Sequence, residues 1–299
     1  MLPVFPKFKL IDLEYQKTLL SCLETSERKI CELAFANLIV WNKFDRGQFT
    51  YINKNLCILI SPLNEEPYFL EPLGRNMPVE TAEVCLKSAG RISRASDDFL
   101  SSLPKDKFAA TELRNQFDYV YLRKDLAELK GKKYDGKRNH LKRFRAAHPD
   151  SQFIPLSSEA KNEALELFDR WFEIRKESKF YPRLAYTAQK DAIGSAFDNY
   201  EALKLMGGAI MIGGKLKGFI LGSRLNKDTA SAHFSYGDPS VNGISQALLF
   251  EACNKTFPDL TYVDLEQDLG IPGLRSAKLS YHPMKLEKKY EIAHLQAKE

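Results

Sequence analysis

The sequence predicts an α/β (α+β) protein in which two mixed sheets, each flanked by helices, follow one another along the chain. Three observations carry this reading. Helical and strand periodicities alternate along the chain rather than segregating into blocks. The second half runs helix, helix, strand, strand, strand, helix, strand, short helix, strand, and the first half repeats that order approximately. At 299 residues, with 44% hydrophobic and 11% aromatic content, the chain can bury two cores of ordinary size.

In the first half, Glu14 to Leu23 and Cys31 to Phe44 have the apolar spacing of helices. Gln48 to Ile52 and Asn55 to Ile60 read as a hairpin turning at Asn53-Lys54. Tyr68-Phe69-Leu70 continues extended, and Pro78 to Ser88 opens on proline with one apolar face, as a helix does. Phe108 to Arg123 mixes signals, but Phe117 to Leu122 alternates as a strand. Asp125 with Glu128 three residues on predicts an N-cap and a short helix that stops near Gly131. Tyr134 to Ala147 follows as a basic helix ended by Pro149.

In the second half, Glu159 to Glu177 predicts a long amphipathic helix with the stripe Ala164, Leu167, Phe168, Trp171 and Ile174. Ala188 to Ala202 is mostly helical. Ala209 to Ile212 and Leu216 to Arg224 are strands joined by Gly213-Gly214. Ala230 to Tyr236 is a third strand, Gly243 to Phe257 a helix, Leu260 to Leu265 a buried-type strand and Lys285 to Ala293 a final strand. This is the element order of N-acyltransferase (GNAT) folds. The expected architecture is therefore a tandem of duplicated GNAT-like acyltransferase folds, with domains at 1–130 and 151–299 bridged by the basic helix at 131–150.

Composition excludes several classes. No run approaches the roughly 18 apolar residues of a membrane helix, and the N-terminus lacks the pattern of a signal peptide. A cytoplasmic protein is expected, with attachment to the inner face of a membrane left open. Cys22, Cys31, Cys57, Cys85 and Cys253 are widely spaced and form no C-x-x-C pair, so buried free thiols are expected. The five histidines show no metal spacing, and no metal or other cofactor is expected. The net charge of +5 is concentrated. Arg123 to Arg145 holds ten Lys/Arg against three Asp/Glu, which leaves the rest of the chain slightly acidic. Lys137, Arg138, Lys142 and Arg143 on this helix are candidates for contact with a nucleic-acid backbone or anionic lipid; a solvated linker helix is the alternative.

Two motifs are specific. One is Asp125-Leu126-Ala127 with Leu129-Lys130-Gly131-Lys132-Lys133-Tyr134, then Lys137-Arg138-Asn139, Leu141 and Phe144. The other is Glu266-Gln267-Asp268-Leu269-Gly270, then Gly273-Leu274-Arg275, Ala277-Lys278 and Ser280-Tyr281. Together they resemble a bacterial family of unknown function related to the C-terminal domain of phosphatidylglycerol lysyltransferases. More distantly they resemble the Fem aminoacyltransferases. The resemblance implies a tandem acyltransferase-like fold and aminoacyl-tRNA as donor, but the particular acceptor does not carry over from it; an amine or hydroxyl, of a lipid headgroup or cell-wall precursor, is expected. Acetyl-CoA enzymes carry Q/R-x-x-G-x-G/A where the third strand meets its helix. Here Ser240-Val241-Asn242-Gly243-Ile244-Ser245 lacks the first and last of those residues, which favours a donor other than coenzyme A.

Aminoacyl transfer needs a held ester, a group to take the acceptor's proton and donors for the oxyanion. The stretch after Val263 packs acid, amide, guanidinium, ammonium and phenol behind a buried strand, where sheets usually hold ligands. Tyr236, Asp268 and Lys278 are the candidate catalytic residues. Glu266, Gln267, Arg275, Tyr281, Asn242 and Arg175 are candidates for substrate binding. Under the functional reading Glu266 or Asp268 fixes the aminoacyl ammonium, while Arg275 and Lys278 meet phosphate or carboxylate. Under the alternative these charges pair with one another and pin the turn. His233 and Tyr236 stand at odd spacing on one strand, so only one is expected to face the cleft. Tyr236 is the expected one, and His233 is expected to be satisfied within the core or on a face. Asn242 is read equally as a helix cap. An acyl-CoA N-acyltransferase and a ligand-binding protein without transfer activity are the competing functions. No oligomeric state follows from these patterns.

Overall fold

The computed structural model describes residues 2–25, 28–175 and 183–295. The first strands are β1 (Lys9–Leu10), β2 (Gln48–Ile52), β3 (Asn55–Ile60), β4 (Tyr68–Phe69), β5 (Ile92–Ser96), β6 (Phe108–Glu112) and β7 (Asp118–Leu122). The later ones are β8 (Gln152–Pro155), β9 (Met206–Ile212), β10 (Lys215–Arg224), β11 (Thr229–Gly237), β12 (Tyr262–Asp264), β13 (Lys285–Glu287) and β14 (Lys289–His294). Helices α1 (Gln16–Thr25), α2 (Phe35–Val40), α3 (Asn42–Asp45), α4 (Pro78–Ala89), α5 (Asp97–Ser101) and α6 (Arg123–Glu128) precede α7 (Asp135–Ala147). They are followed by α8 (Lys161–Glu173), α9 (Arg183–Asp198), α10 (Ile244–Lys255) and α11 (Pro272–Leu279).

Two mixed sheets result, each with helices on its faces. The fold is a tandem of GNAT-like units. The first sheet runs β1-β2-β3-β4-β5-β14-β6 and the second, read from its far edge, β8-β9-β10-β11-β12-β7-β13. The duplication shows in the pairing. Within each sheet the parallel pair falls at the same place, β4 with β5 and β11 with β12. The sixth position of each sheet is filled by a strand from the other half of the chain. One compact unit accordingly comprises residues 1–118, 267–270 and 287–299, and the other 119–266 and 271–286. The chain thus does not divide into continuous segments ending at 130 and starting at 151, and the basic helix lies within the second unit. The final strand expected over Lys285 to Ala293 is two strands, broken at Lys288, with only the first in the second sheet.

Local chemistry explains most elements. Asn53 and Lys54 both take positive φ, as a tight hairpin turn between β2 and β3 requires. Pro78 opens α4 and left-handed Gly90 closes it. The expected helix from Cys31 to Phe44 is instead a 3-10 turn, α2 and α3, because Ala34 and Trp41 leave helical geometry or restart the hydrogen-bond ladder. Asp125 lies inside the first turn of α6 and does not cap it; Leu122 precedes that helix. Short β5 and β8 carry too few alternating apolar residues to signal themselves in the sequence.

In the second unit one core gathers Tyr119, Tyr121, Leu248, Phe257 and Val263 beneath α6, α7 and α10. Fully buried aromatic side chains such as Phe219 contribute about 2–3 kcal/mol each in apolar burial. Ile174, expected on the buried stripe of α8, is exposed, and Phe172 is buried on that helix instead. In the first unit Phe69, Cys85, Leu86, Ile92 and Ile292 pack around α4. Cys22, Cys31, Cys57, Cys85 and Cys253 are all free thiols. Among the described residues no helix is long and apolar enough to cross a membrane.

Candidate functional site

The parallel ladder between β11 and β12 is short. It joins Thr229 to Tyr262, Ala230 to Val263 and Ser231 to Asp264, after which β12 ends and β11 runs on to Gly237. The sheet therefore forks at Ser231. Just beyond the fork β11 carries a bulge: Phe234 pairs with Leu221 and Ala232 with Gly222, so His233 is the extra residue. A bulge re-aims the side chain at that point. On the other arm, Asp264 Oδ1 accepts the Glu266 amide at 2.7 Å. This turn holds Glu266 in the left-handed region, at φ 59°.

These two distortions bring the side chains together. Glu266 Oε1 accepts from Ser231 Oγ at 2.9 Å and meets His233 Nδ1 at 2.8 Å. His233 Nε2 lies 2.7 Å from Ser223 Oγ on β10. An ionised carboxylate only accepts, so the proton belongs on Nδ1. Nε2 then presents its lone pair to the Ser223 hydroxyl. Hydroxyl, imidazole and carboxylate follow one another as in a base-activated nucleophile. The His233 side chain is only 2% exposed and that of Glu266 15%, so water competes little for these bonds.

Of the residues singled out in the sequence, Lys278, Arg275 and Tyr281 lie with Glu266 in the second unit. Lys278 Nζ donates to the Leu265 and Glu266 carbonyls at 2.6 and 3.0 Å. It thereby anchors the loop that presents Glu266. Tyr281 is buried, and burial raises its phenol well above the usual value. Arg275 is half-buried on α11. Tyr236 takes a different place. Its hydroxyl donates to Gln189 at 2.7 Å, and its ring packs edge-on against Phe168 and Trp171. The residue bonded to Glu266 is His233, not Tyr236. Arg175 stacks over Trp171 at 4.4 Å, and its Nη1 is buried without a hydrogen-bond acceptor among the described residues. Asn242 is exposed and does not cap α10, whose N-cap is Gly243. Gly243 is required: a Cβ there would sit 2.9 Å from the His140 carbonyl of α7.

Gln267 and Asp268 belong to the first unit. Gln267 Nε2 donates to Cys31 Sγ and Glu32 Oε1, both at 2.9 Å. Asp268 is fully buried. It pairs with Arg114 at 3.0 Å and accepts the Gly270 amide at 2.8 Å. It is engaged in holding its own turn. Nearby, Lys289 is fully buried and donates to Asp118 at 2.8 Å and to Glu32. These carboxylates hold its ammonium charged, well above the ordinary lysine range. Cys31, Glu32 and Asp118 offer ligand atoms within 4.8 Å of one another, but the Lys289 ammonium already takes the cation's place among them.

The basic helix α7 divides its charges. Arg138 is bound to the Leu129 and Gly131 carbonyls and to Asp135. Lys137 lies 3.8 Å from the Tyr281 ring centroid and donates to Ser280, and burial lowers its pKa. Lys142 and Arg143 are exposed.

With this geometry in place, the family model for the phosphatidylglycerol lysyltransferase C-terminal domain matches residues 23–293. The chain belongs to that family. A conserved protein of unknown function from Bacteroides thetaiotaomicron is 30% identical, with a TM-score of 0.87 over 99% of this chain and all of that one. The C-terminal domain of a putative lysylphosphatidylglycerol synthetase from Agrobacterium fabrum is 14% identical, with a TM-score of 0.66 over 95% of this chain and 92% of that one. L-PGS from Bacillus licheniformis is 16% identical, with the same TM-score over 97% and 94%. At those identities the last two share the fold. No curated protein matches. The family match covers both units, so it includes Ser223, His233 and Glu266 together with the first-unit cluster. Nothing in the sequence pattern singles out Ser223, and period-two parity sets His233 aside. The one signal for them is a His and two Ser on strands bordering the acid-rich loop, and the bulge that joins them carries no sequence mark.

Proposed function

We propose that the second unit transfers an aminoacyl group from a charged tRNA to a hydroxyl or amine acceptor. The observation that carries this is the Ser223–His233–Glu266 chain at the fork of β11 and β12. In GNAT-like folds such a fork leaves strand amides for an acyl carbonyl, where fixed donors favour the oxyanion. The acceptor attacks the ester carbonyl, its proton passes through Ser223 to His233 Nε2, and Glu266 stabilises the imidazolium. Collapse of the tetrahedral intermediate breaks the ester bond, and His233 returns the proton to the departing ribose oxygen.

Lys278 acts as a positioning residue, because it holds the carbonyl of Glu266. Arg275, Tyr281 and Arg175 are proposed to bind the substrates, with the Arg175 guanidinium suited to a phosphate or carboxylate. Exposed Lys142 and Arg143 are proposed to meet the tRNA backbone or an anionic membrane surface. The name of the family supports a lysyl group as cargo and phosphatidylglycerol as acceptor; a cell-wall precursor is the alternative acceptor. The close approach of α7 to the N-terminus of α10, and the missing phosphate-loop residues, support a donor other than acyl-CoA.

A second reading has its own support. Asp268 and Gln267 are spent on internal partners, which suits a protein that binds aminoacyl-tRNA and does not transfer from it. The test is incubation with labelled lysyl-tRNA and phosphatidylglycerol vesicles. Label in the lipid supports transfer. Label retained on protein-bound tRNA, with none in lipid, supports the second reading.

A further inference from the structure

We infer that the first unit holds a second small-molecule site, built around Arg94 and Asp45, for a primary ammonium carrying an adjacent oxygen acceptor, the chemistry of an α-amino acid or its ester. The inference is independent of the transfer site in the second unit. It starts from a buried guanidinium nitrogen of Arg94 without an acceptor, and from the half-buried carboxylate of Asp45, which has no side-chain partner among the described residues.

Arg94 lies on β5 at a bulge, where Ser93 and Arg94 together oppose Glu291 of β14. Its φ is +60°. The bulge directs the guanidinium over the Tyr68 ring, 4.5 Å from the centroid, which fixes its plane. Its contacts with acids are long: Nε to Glu32 at 3.6 Å and Nη2 to Glu65 at 3.4 Å. Its Nη1 is buried and has no acceptor among the described residues. A buried guanidinium nitrogen without an acceptor is costly, so an oxygen of a ligand is its natural complement.

Asp45, at the end of α3, supplies the other half. Its carboxylate has no hydrogen bond or ion pair among the described residues, and burial raises its pKa to about 6. The charged groups around it are Arg94, Glu32 and Glu65, with the Tyr68 phenol beside them. Three carboxylates thus surround one guanidinium, and a further anion such as phosphate would be repelled. A metal ion fits poorly, since the only metal-competent group among the described residues is Cys31, Glu32 and Asp118, already filled by Lys289. What satisfies both groups is a ligand with an ammonium for the carboxylates and a carbonyl or carboxylate oxygen for Nη1.

Isothermal titration of the full chain tests this with five probes: L-alanine, L-lysine, their two methyl esters, and N-acetyl-L-alanine methyl ester. Saturable binding of the amino acids or esters is expected, and none of the N-acetyl compound. Tighter binding of the esters than of the free acids would assign the site to an aminoacyl group; the reverse would assign it to a free amino acid. Arg94→Gln and Asp45→Asn should each weaken binding about tenfold, with Arg94→Lys and melting curves separating this from misfolding. His233→Ala should leave binding intact, so failure here and failure of the transfer reading are distinguishable. Absence of saturable binding by every probe, or affinities unchanged in folded Arg94→Gln and Asp45→Asn, would overturn the proposal.

Discussion

His233 and Glu266 stand 33 residues apart and meet at 2.8 Å, Nδ1 to Oε1. Each reaches that position through a local distortion: a bulge on β11 for the histidine, a left-handed residue after an aspartate turn for the glutamate. Strained backbone of this kind persists only where the surroundings over-determine it, and it concentrates at working sites.

Removing the base should remove transfer. His233→Ala is expected to lower the rate of label transfer about 10²–10⁴-fold while the protein still melts cooperatively. Glu266→Gln keeps the shape but loses the charge that orients the ring, so a smaller loss is expected. Initial rates with labelled lysyl-tRNA across pH check both. A rate unaffected by His233→Ala would end the assignment.

Lys278→Met should lower both stability and rate. The ammonium donates to two carbonyls, and stranding them costs about 1–3 kcal/mol. Urea unfolding measures the first effect, and transfer by the fraction that remains folded measures the second. Loss of rate with stability unchanged would instead give Lys278 a direct part in binding or chemistry.

On α7 the exposed pair carries the prediction. Lys142→Glu with Arg143→Glu should weaken tRNA binding and reduce the salt slope by roughly 0.7–0.9 for each phosphate that is no longer neutralised. Arg138→Glu should act on stability, because its guanidinium closes onto the Leu129 and Gly131 carbonyls. Filter binding across a salt series distinguishes the two effects.

Asp45 should make the protein less stable as pH rises. Its folded pKa is about 6 against an ordinary 3.8. Between those values the unfolded chain releases the proton first, so stability falls as pH climbs from about 4 to 6, by about 3 kcal/mol in all, and stays lowered above that. Burial causes this shift; the Arg94 guanidinium opposes it, and Glu32 and Glu65 add to it. Asp45→Asn should therefore be more stable than wild type at pH 7.5 and nearly equal at pH 4. Urea unfolding at both pH values measures the difference, and a constant difference would contradict it.

Much of the fold was legible because its causes are local. The β2–β3 hairpin, α4, the Gly213-Gly214 turn and the basic helix each follow from turn chemistry, capping or periodicity within a dozen residues. Lys285 to Ala293 reads as one strand because alternation cannot say which sheet a strand joins. The break between β13 and β14 at Lys288, and the pairing of β14 with β5 and β6, depend on residues nearly two hundred positions away.

The site divides the same way. That the loop after Val263 is dense in polar groups and that Arg123 to Arg145 is basic are properties of composition, readable without coordinates. Which of those groups act together follows from the packed fold. It gave Glu266 to His233 and Ser231, Gln267 to Glu32, and Asp268 to Arg114. The reason is physical. A carboxylate leaving water takes whichever donor the packed backbone brings within about 3 Å, and a one-residue bulge is enough to change which donor that is.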